Sequence, residues 1–95
     1  MASSRSSGLK TADAVISAGR NRINAITLLG DGTNAASLII YDNASAASGL
    51  VLAKVTQLAT AKLTHILFDN PVFAENGLYA DVTGTNAEYI VYYGG

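Results

Sequence analysis

The 95-residue sequence has no cysteine and no tryptophan, a single proline, a single histidine and a single methionine, and only 14% of its residues are charged. Without cysteine there is neither a disulfide framework nor a thiolate metal site, and the redox compartment stays open. The charged fraction falls well below the roughly 25% usual in soluble domains, while 49% of the residues are apolar. A chain of this length buries only about 60–65% of the surface its unfolded form exposes, so one core is all it fills. With so little polar surface available, some apolar surface is expected to meet a partner chain. The net charge of −1 supplies no basic patch that would displace counterions from phosphates. Arg20 and Arg22 are the one close basic pair, and nucleic acid is not an expected partner.

Long apolar runs are missing as well. Nothing approaches the ~20 apolar residues of a membrane span. The opening "MASSRSSGLK" carries positive charge but no apolar stretch behind it, so it does not read as a signal peptide. The expectation is a soluble protein made in a cytosol, where the sequon Asn43-Ala44-Ser45 meets no glycosylation machinery.

What is present is a series of short apolar runs separated by turn signals. Residues 1–10 are Ser-rich and read as a flexible N-terminal arm, or one that orders on a neighbouring subunit. Residues 11–95 read as one β domain. The runs are "ADAVISA" (12–18), "RINAITLL" (22–29), "ASLIIYD" (36–42), "GLVLAKV" (49–55), "KLTHILF" (62–68), "GLYADV" (77–82) and "EYIVYY" (88–93). β-branched and aromatic residues inside such spacing are the all-β pattern. Asp31-Gly32 and Asn76-Gly77 suit tight hairpins, because glycine accepts positive φ without steric penalty. On that basis "NGLYADVTGTNAEYIVYYGG" (76–95) reads as a closing hairpin turning at "TGTN" (83–86). Pro71 cannot donate to a ladder and belongs at an edge or a bulge. One segment competes: 44–63 is rich in Ala, Leu and Lys, with Val51, Val55 and Leu58 on one helical face. A strand over 50–55 is expected, with a helical turn possible over 56–61.

The runs are apolar on both faces. Leu38 and Ile40 oppose Ile39 and Tyr41; Leu50 and Leu52 oppose Val51, Ala53 and Val55; Tyr89, Val91 and Tyr93 oppose Ile90 and Tyr92. Strands of this kind fill a core on one side and meet another chain on the other, which predicts a homo-oligomer.

Chemical motifs are scarce. Gly30-Asp31-Gly32-Thr33-Asn34-Ala35 fits the dinucleotide pattern G-x-G-x-x-A, but the β-branched run "ASLIIYDN" follows where that fingerprint needs a helix. His65, mid-strand in "LTHILF", has no second histidine or cysteine to complete a zinc site and no carboxylate nearby to orient it. Asp31, Asp42, Asp69, Glu75 and Asp81 lie near strand ends, as aspartate does when it bonds turn amides. Neither "DGTN" nor "DVTGTN" has the ligand density of a calcium loop, although separate turns could converge on one. With no nucleophile elbow, no H-E-x-x-H and no P-loop, no catalytic residues, cofactor or metal are expected, and the protein is not expected to be an enzyme. The tyrosines Tyr41, Tyr79, Tyr89, Tyr92 and Tyr93 are the interface candidates, since an apolar ring with a polar tip suits a protein contact. The alternative is a carbohydrate-binding face formed by Tyr89, Tyr92 and Tyr93, with Tyr79 nearby and the 83–86 loop, and centred on Tyr92 and Tyr93.

The stretches "ITLLGDGTNAASLIIYDN" (26–43), "SGLVLAKV" (48–55) and "VFAENGLYADVTGTNAEYIVYY" (72–93) resemble the small β-sandwich or jelly-roll virion proteins of tailed bacteriophages. The resemblance covers about three quarters of the chain. It implies a capsid decoration (cement) protein, or a small tail, baseplate or fibre component, made in the host bacterial cytoplasm without a signal peptide. It further implies self-association as a trimer or dimer, binding to the major capsid protein or another virion protein, and a place in the virion. The tail alternative would bind a virion neighbour or a host-surface glycan. The motifs involved are turns and strand edges, so the resemblance brings no catalytic residues with it.

Overall fold

A computed structural model describes residues 4–94. All regular structure in this range is strand: β1 (Arg5–Ser6), β2 (Ala14–Ser17), β3 (Asn21–Leu29), β4 (Ala36–Tyr41), β5 (Val51–Gln57), β6 (Leu63–Ala74), β7 (Leu78–Thr83) and β8 (Glu88–Tyr93). They form two four-stranded antiparallel sheets with the orders β1-β8-β3-β6 and β2-β7-β4-β5. Consecutive strands alternate between the sheets except at β4–β5, which is the jelly-roll arrangement of the β-sandwich.

Period-two patterning explains why these segments become strands. In β4 the residues Ala36, Leu38 and Ile40 are buried while Ser37, Ile39 and Tyr41 are only partly covered. β8 buries Tyr89 and Val91, and β7 buries Leu78 and Ala80. With Ile23, Ile26 and Leu28 of β3 and Val55 of β5 these make one core between the sheets. Each large aliphatic side chain removed from water there contributes about 1.5–3 kcal/mol. Cutting Leu38, which is fully buried, back to alanine costs about 2–5 kcal/mol.

Several expectations need correcting. Asp31-Gly32 and Asn76-Gly77 do not close hairpins: the first links β3 to β4 and the second β6 to β7, each pair lying in different sheets. The 83–86 turn likewise carries the chain from β7 to β8 across the sandwich, so the expected closing hairpin is an arch over its described residues, 76–94, with Gly95 outside them. Glycine-based turns serve both geometries, and the partner sheet is chosen by long-range packing. β4–β5, joined by residues 42–50, is the hairpin between neighbours.

No helical turn forms over 56–61; β5 continues to Gln57, and a tight turn follows in which Ala61 N donates to Leu58 O at 3.0 Å. Within β5 a register shift pairs Val51 with Tyr41 but Ala53 with Ile40. Val51 therefore leaves the face it was expected to share with Ala53 and Val55. β6 extends past the expected end at Phe68 to Ala74 as an edge strand. Pro71 lies there in a wide bulge between the pairs Ala25–Leu67 and Ile23–Val72. The N-terminal arm is also revised. Met1–Ser3 lie outside the described residues, but Arg5 and Ser6 pair with Tyr93 and Tyr92, and Lys10 bridges to Tyr89. The segment 5–10 is thus the edge of the chain's own sheet.

Candidate functional site

With the core filled, the outer faces of the two sheets are what the molecule presents. On the β1-β8-β3-β6 sheet the register sets three rows across β8, β3 and β6: Glu88–Leu29–Leu63, Ile90–Thr27–His65 and Tyr92–Ala25–Leu67. Leu63 and Leu67 are 61% and 70% exposed, which marks this face as open apolar surface. At its centre Thr27 Oγ1 and His65 Nδ1 lie 2.8 Å apart. The His65 ring also meets Tyr92 edge to face, with centroids 6.5 Å apart and planes at 73°. Thr27 and Tyr92 are thus the neighbours of the imidazole on this face. Among the described residues its hydrogen bond goes to a hydroxyl and not to the carboxylate that general-base chemistry asks for.

The opposite face, on β2-β7-β4-β5, carries the row Val15–Tyr79–Tyr41–Val51 across all four strands. The next row is Asp81–Ile39–Lys54, followed by Thr83–Ser37–Thr56. Two half-buried tyrosines side by side, flanked by exposed Val15 and Val51, form an aromatic strip edged by one acid and one base.

The five sequence-selected tyrosines therefore separate. Tyr92 lies on the first face, and Tyr41 and Tyr79 are brought together on the second. Tyr93 turns inward and packs against the core, and Tyr89 is fully buried within it. The Tyr89 hydroxyl donates to Ala12 O at 2.7 Å. Burial, then the charge of Asp13 and the nearness of Tyr79, push its pKa up to about 12. It is a core residue of the protomer and no part of its outer surface. Leu29, Leu63, Leu67 and Ile90 were not singled out from the sequence, although Leu63 and Leu67 flank His65 at strand period in "LTHIL".

Asp31 and Asp42 hold loops, while Asp69 and Asp81 lie within β6 and β7 and not in turns. Asp31 accepts from Thr33 N and Asn34 N, both at 2.8 Å, and from the amides of Asn34 and Asn86. These bonds, led by the Asn34 backbone N–H, hold its carboxyl far below the usual carboxylate range. Asp42 accepts from the backbone amides of Glu75, Asn76 and Gly77 and is lowered chiefly by the Asn76 bond. Asp13 takes Val82 N at 2.9 Å and faces Asp81, whose pKa is raised first by burial and then by the Asp13 charge. The motif from Gly30 to Ala35 is therefore an Asp31-centred turn, with no helix after it to hold a pyrophosphate. An open depression lined by Thr11, Gly84, Asn86, Ala87 and Glu88 lies nearby. Among the described residues no group of three or more His, Asp or Glu side chains is placed to hold a metal ion. No helix among them is long and apolar enough to cross a membrane. Comparison with protein-family models and with curated protein sequences gives no match to this chain.

Proposed function

We propose that this chain is a non-enzymatic structural protein of a tailed-phage virion, a decoration protein that self-associates and binds the capsid lattice. The observation that carries the reading is the grid centred on Thr27, His65 and Tyr92, a largely apolar sheet face left open by the fold. A patch of this kind on a small domain marks a contact with another protein. Binding the assembled lattice and not its dissociated subunits adds stability to the lattice by linkage. The test is to add the purified chain to capsids built from the major capsid protein of the same phage. Co-sedimentation with a raised disruption temperature is expected, and capsids that neither bind it nor gain stability overturn the reading.

A second reading draws on the strip on the other face. Tyr41 beside Tyr79 offers two rings to a sugar, with Asp81 one row away to accept from hydroxyls. This favours a tail, baseplate or fibre module that recognises a host-surface glycan. It moves the platform away from Tyr92 and Tyr93, which point to opposite sides of their sheet. A glycan array probed with wild type and with Tyr41→Ala separates the readings, since a decoration protein retains no sugar.

A further inference from the structure

The geometry points to the first half of β6, Leu63 to Leu67, as a self-pairing edge through which two copies of the chain join their sheets. This deepens the self-association proposed above and rests on it.

β6 is the outermost strand of its sheet. Just before it, Lys62 O accepts from Gly30 N at 3.0 Å, so the backbone groups of residue 62 point toward β3. In an antiparallel ladder the direction alternates from residue to residue. Thr64 and Ile66 therefore also face β3, while Leu63, His65 and Leu67 direct their N–H and C=O groups to the free edge. The same three residues carry the side chains of the open outer face.

Proteins usually shield an edge with a charged residue, a proline, a bulge or by keeping it short. Three of the four edges here are shielded. β1 has two residues, β2 has four and a register shift, and β5 has Lys54 at its centre and its own register shift. The second half of β6 is shielded too, by Asp69, Pro71 and the wide bulge. The segment 63–67, "LTHIL", has no charged residue, no proline and no bulge.

The segment is also complementary to itself. Antiparallel pairing about a two-fold axis at His65 sets Leu63 of each copy opposite Leu67 of the other, and both leucines leave water. A two-fold axis through His65 generates this antiparallel pairing, and the leucine pairs on either side of the axis favour it. The product is one eight-stranded sheet, β1-β8-β3-β6 continued into its two-fold copy, with a continuous apolar face twice the size. Five residues a side bury less than the ~1,200 Å² of a stable interface, so the dimer dissociates on dilution.

Sedimentation equilibrium from about 10 μM to about 1 mM, the range in which so small an interface associates, tests this. Wild type is expected to dimerise with concentration. Leu67→Lys places a charge on each side of the axis and is expected to raise the dissociation constant about tenfold or more. His65→Pro removes an N–H that faces the free edge, so the backbone ladder to β3 stays intact and only the side-chain bond to Thr27 is given up. It is expected to sediment as a monomer while keeping the wild-type far-ultraviolet circular dichroism. Amide exchange at residues 63, 65 and 67 should slow as wild type dimerises, whatever the variants do. A wild type that stays monomeric at the highest concentration overturns this interface and the self-association with it. A wild-type oligomer that survives both substitutions, with those amides still exchanging freely, overturns the interface alone.

Discussion

The Asp42 carboxylate, at the end of β4, accepts a hydrogen bond from the backbone amide of Asn76 at 2.7 Å, linking the β4–β5 hairpin of one sheet to the arch that enters from the other. Glu75 N and Gly77 N converge on the same carboxylate at 3.3 Å. The chain closes its sandwich at this end with one side chain.

The first prediction follows from that bond. Its folded pKa is depressed, so the stability Asp42 contributes is present above the ordinary carboxylate value near 3.9 and is lost as pH falls through the lower folded value. Asp31, lowered in the same way, adds to the loss. Asp42→Asn should destabilise at neutral pH by about 1 kcal/mol, the modest end for a charged hydrogen bond because water screens the site. Urea midpoints are expected to fall between about pH 5 and about pH 2 for wild type, and to fall less for Asp42→Asn. An equal decline in both would remove Asp42 from the acid sensitivity.

The arch itself gives a second prediction. A Cβ on Gly77 would lie 2.6 Å from Ser17 O and 2.9 Å from both Ala44 Cα and Asn43 O, all backbone atoms with nowhere to move. Gly77→Ala should therefore cost about 2–4 kcal/mol, in the range of substitutions that force the backbone apart. Gly19→Ala is the control: nothing lies within 4 Å of its added Cβ, and a change within about 0.5 kcal/mol is expected. Thermal melts of the two variants side by side decide the point.

How far the sequence told this in advance varies from element to element. β4 and β8 were legible because "ASLIIY" and "EYIVYY" are β-branched and aromatic runs bounded by turn residues, but with both faces apolar the inward face was not. The sheet joined by each strand was not, since a turn such as Asn76-Gly77 is compatible with a hairpin or an arch. Register shifts hid the rest. The one between Ile23 and Ala25 sends Ile23 and Ile26 to the same side, against a simple alternation, and the one at Tyr41 turns Val51 outward. β1 carries no signal of its own in "RS"; it exists because β8 leaves an edge there. The open face was half legible. Tyr92 stood out as an aromatic, while nothing in "LTHIL" marks Leu63 and Leu67 as exposed without the place of β6 at the edge of its sheet.

A third prediction concerns an acid whose loss should help. Asp81 has a raised pKa, so its favourable contribution is complete at low pH and is lost as pH rises through the folded value. At neutral pH it is a charge that burial and Asp13 both oppose. Asp81→Asn removes that charge and can donate to Asp13, and should stabilise by about 0.5 kcal/mol at pH 7, a small gain because the pair is partly wet. The gain should vanish near pH 3, where the wild-type side chain is protonated. Midpoints at both values check it, and a variant less stable than wild type at neutral pH would show that the Asp13–Asp81 contact holds the sheet together.

The last prediction concerns Tyr89, the tyrosine that the core claims. Its hydroxyl donates a hydrogen bond to the carbonyl of Ala12, and ionisation would place a phenolate beside that oxygen and the Asp13 carboxylate. Because the folded pKa lies above the ordinary value near 10, the stability tied to this group is intact below that pH and drains away as pH rises toward about 12. Tyr89→Phe keeps the ring and discards the proton. At neutral pH the variant should lose about 1 kcal/mol, because the Ala12 carbonyl loses its partner. Between about pH 9 and about pH 12 its urea midpoint should decline less than that of wild type, since one titration that favours unfolding is gone. If the two declines match, the alkaline sensitivity belongs to other groups. If Tyr89→Phe costs nothing at neutral pH, water already satisfies the Ala12 carbonyl, and the hydroxyl is not what ties residue 12 to the core.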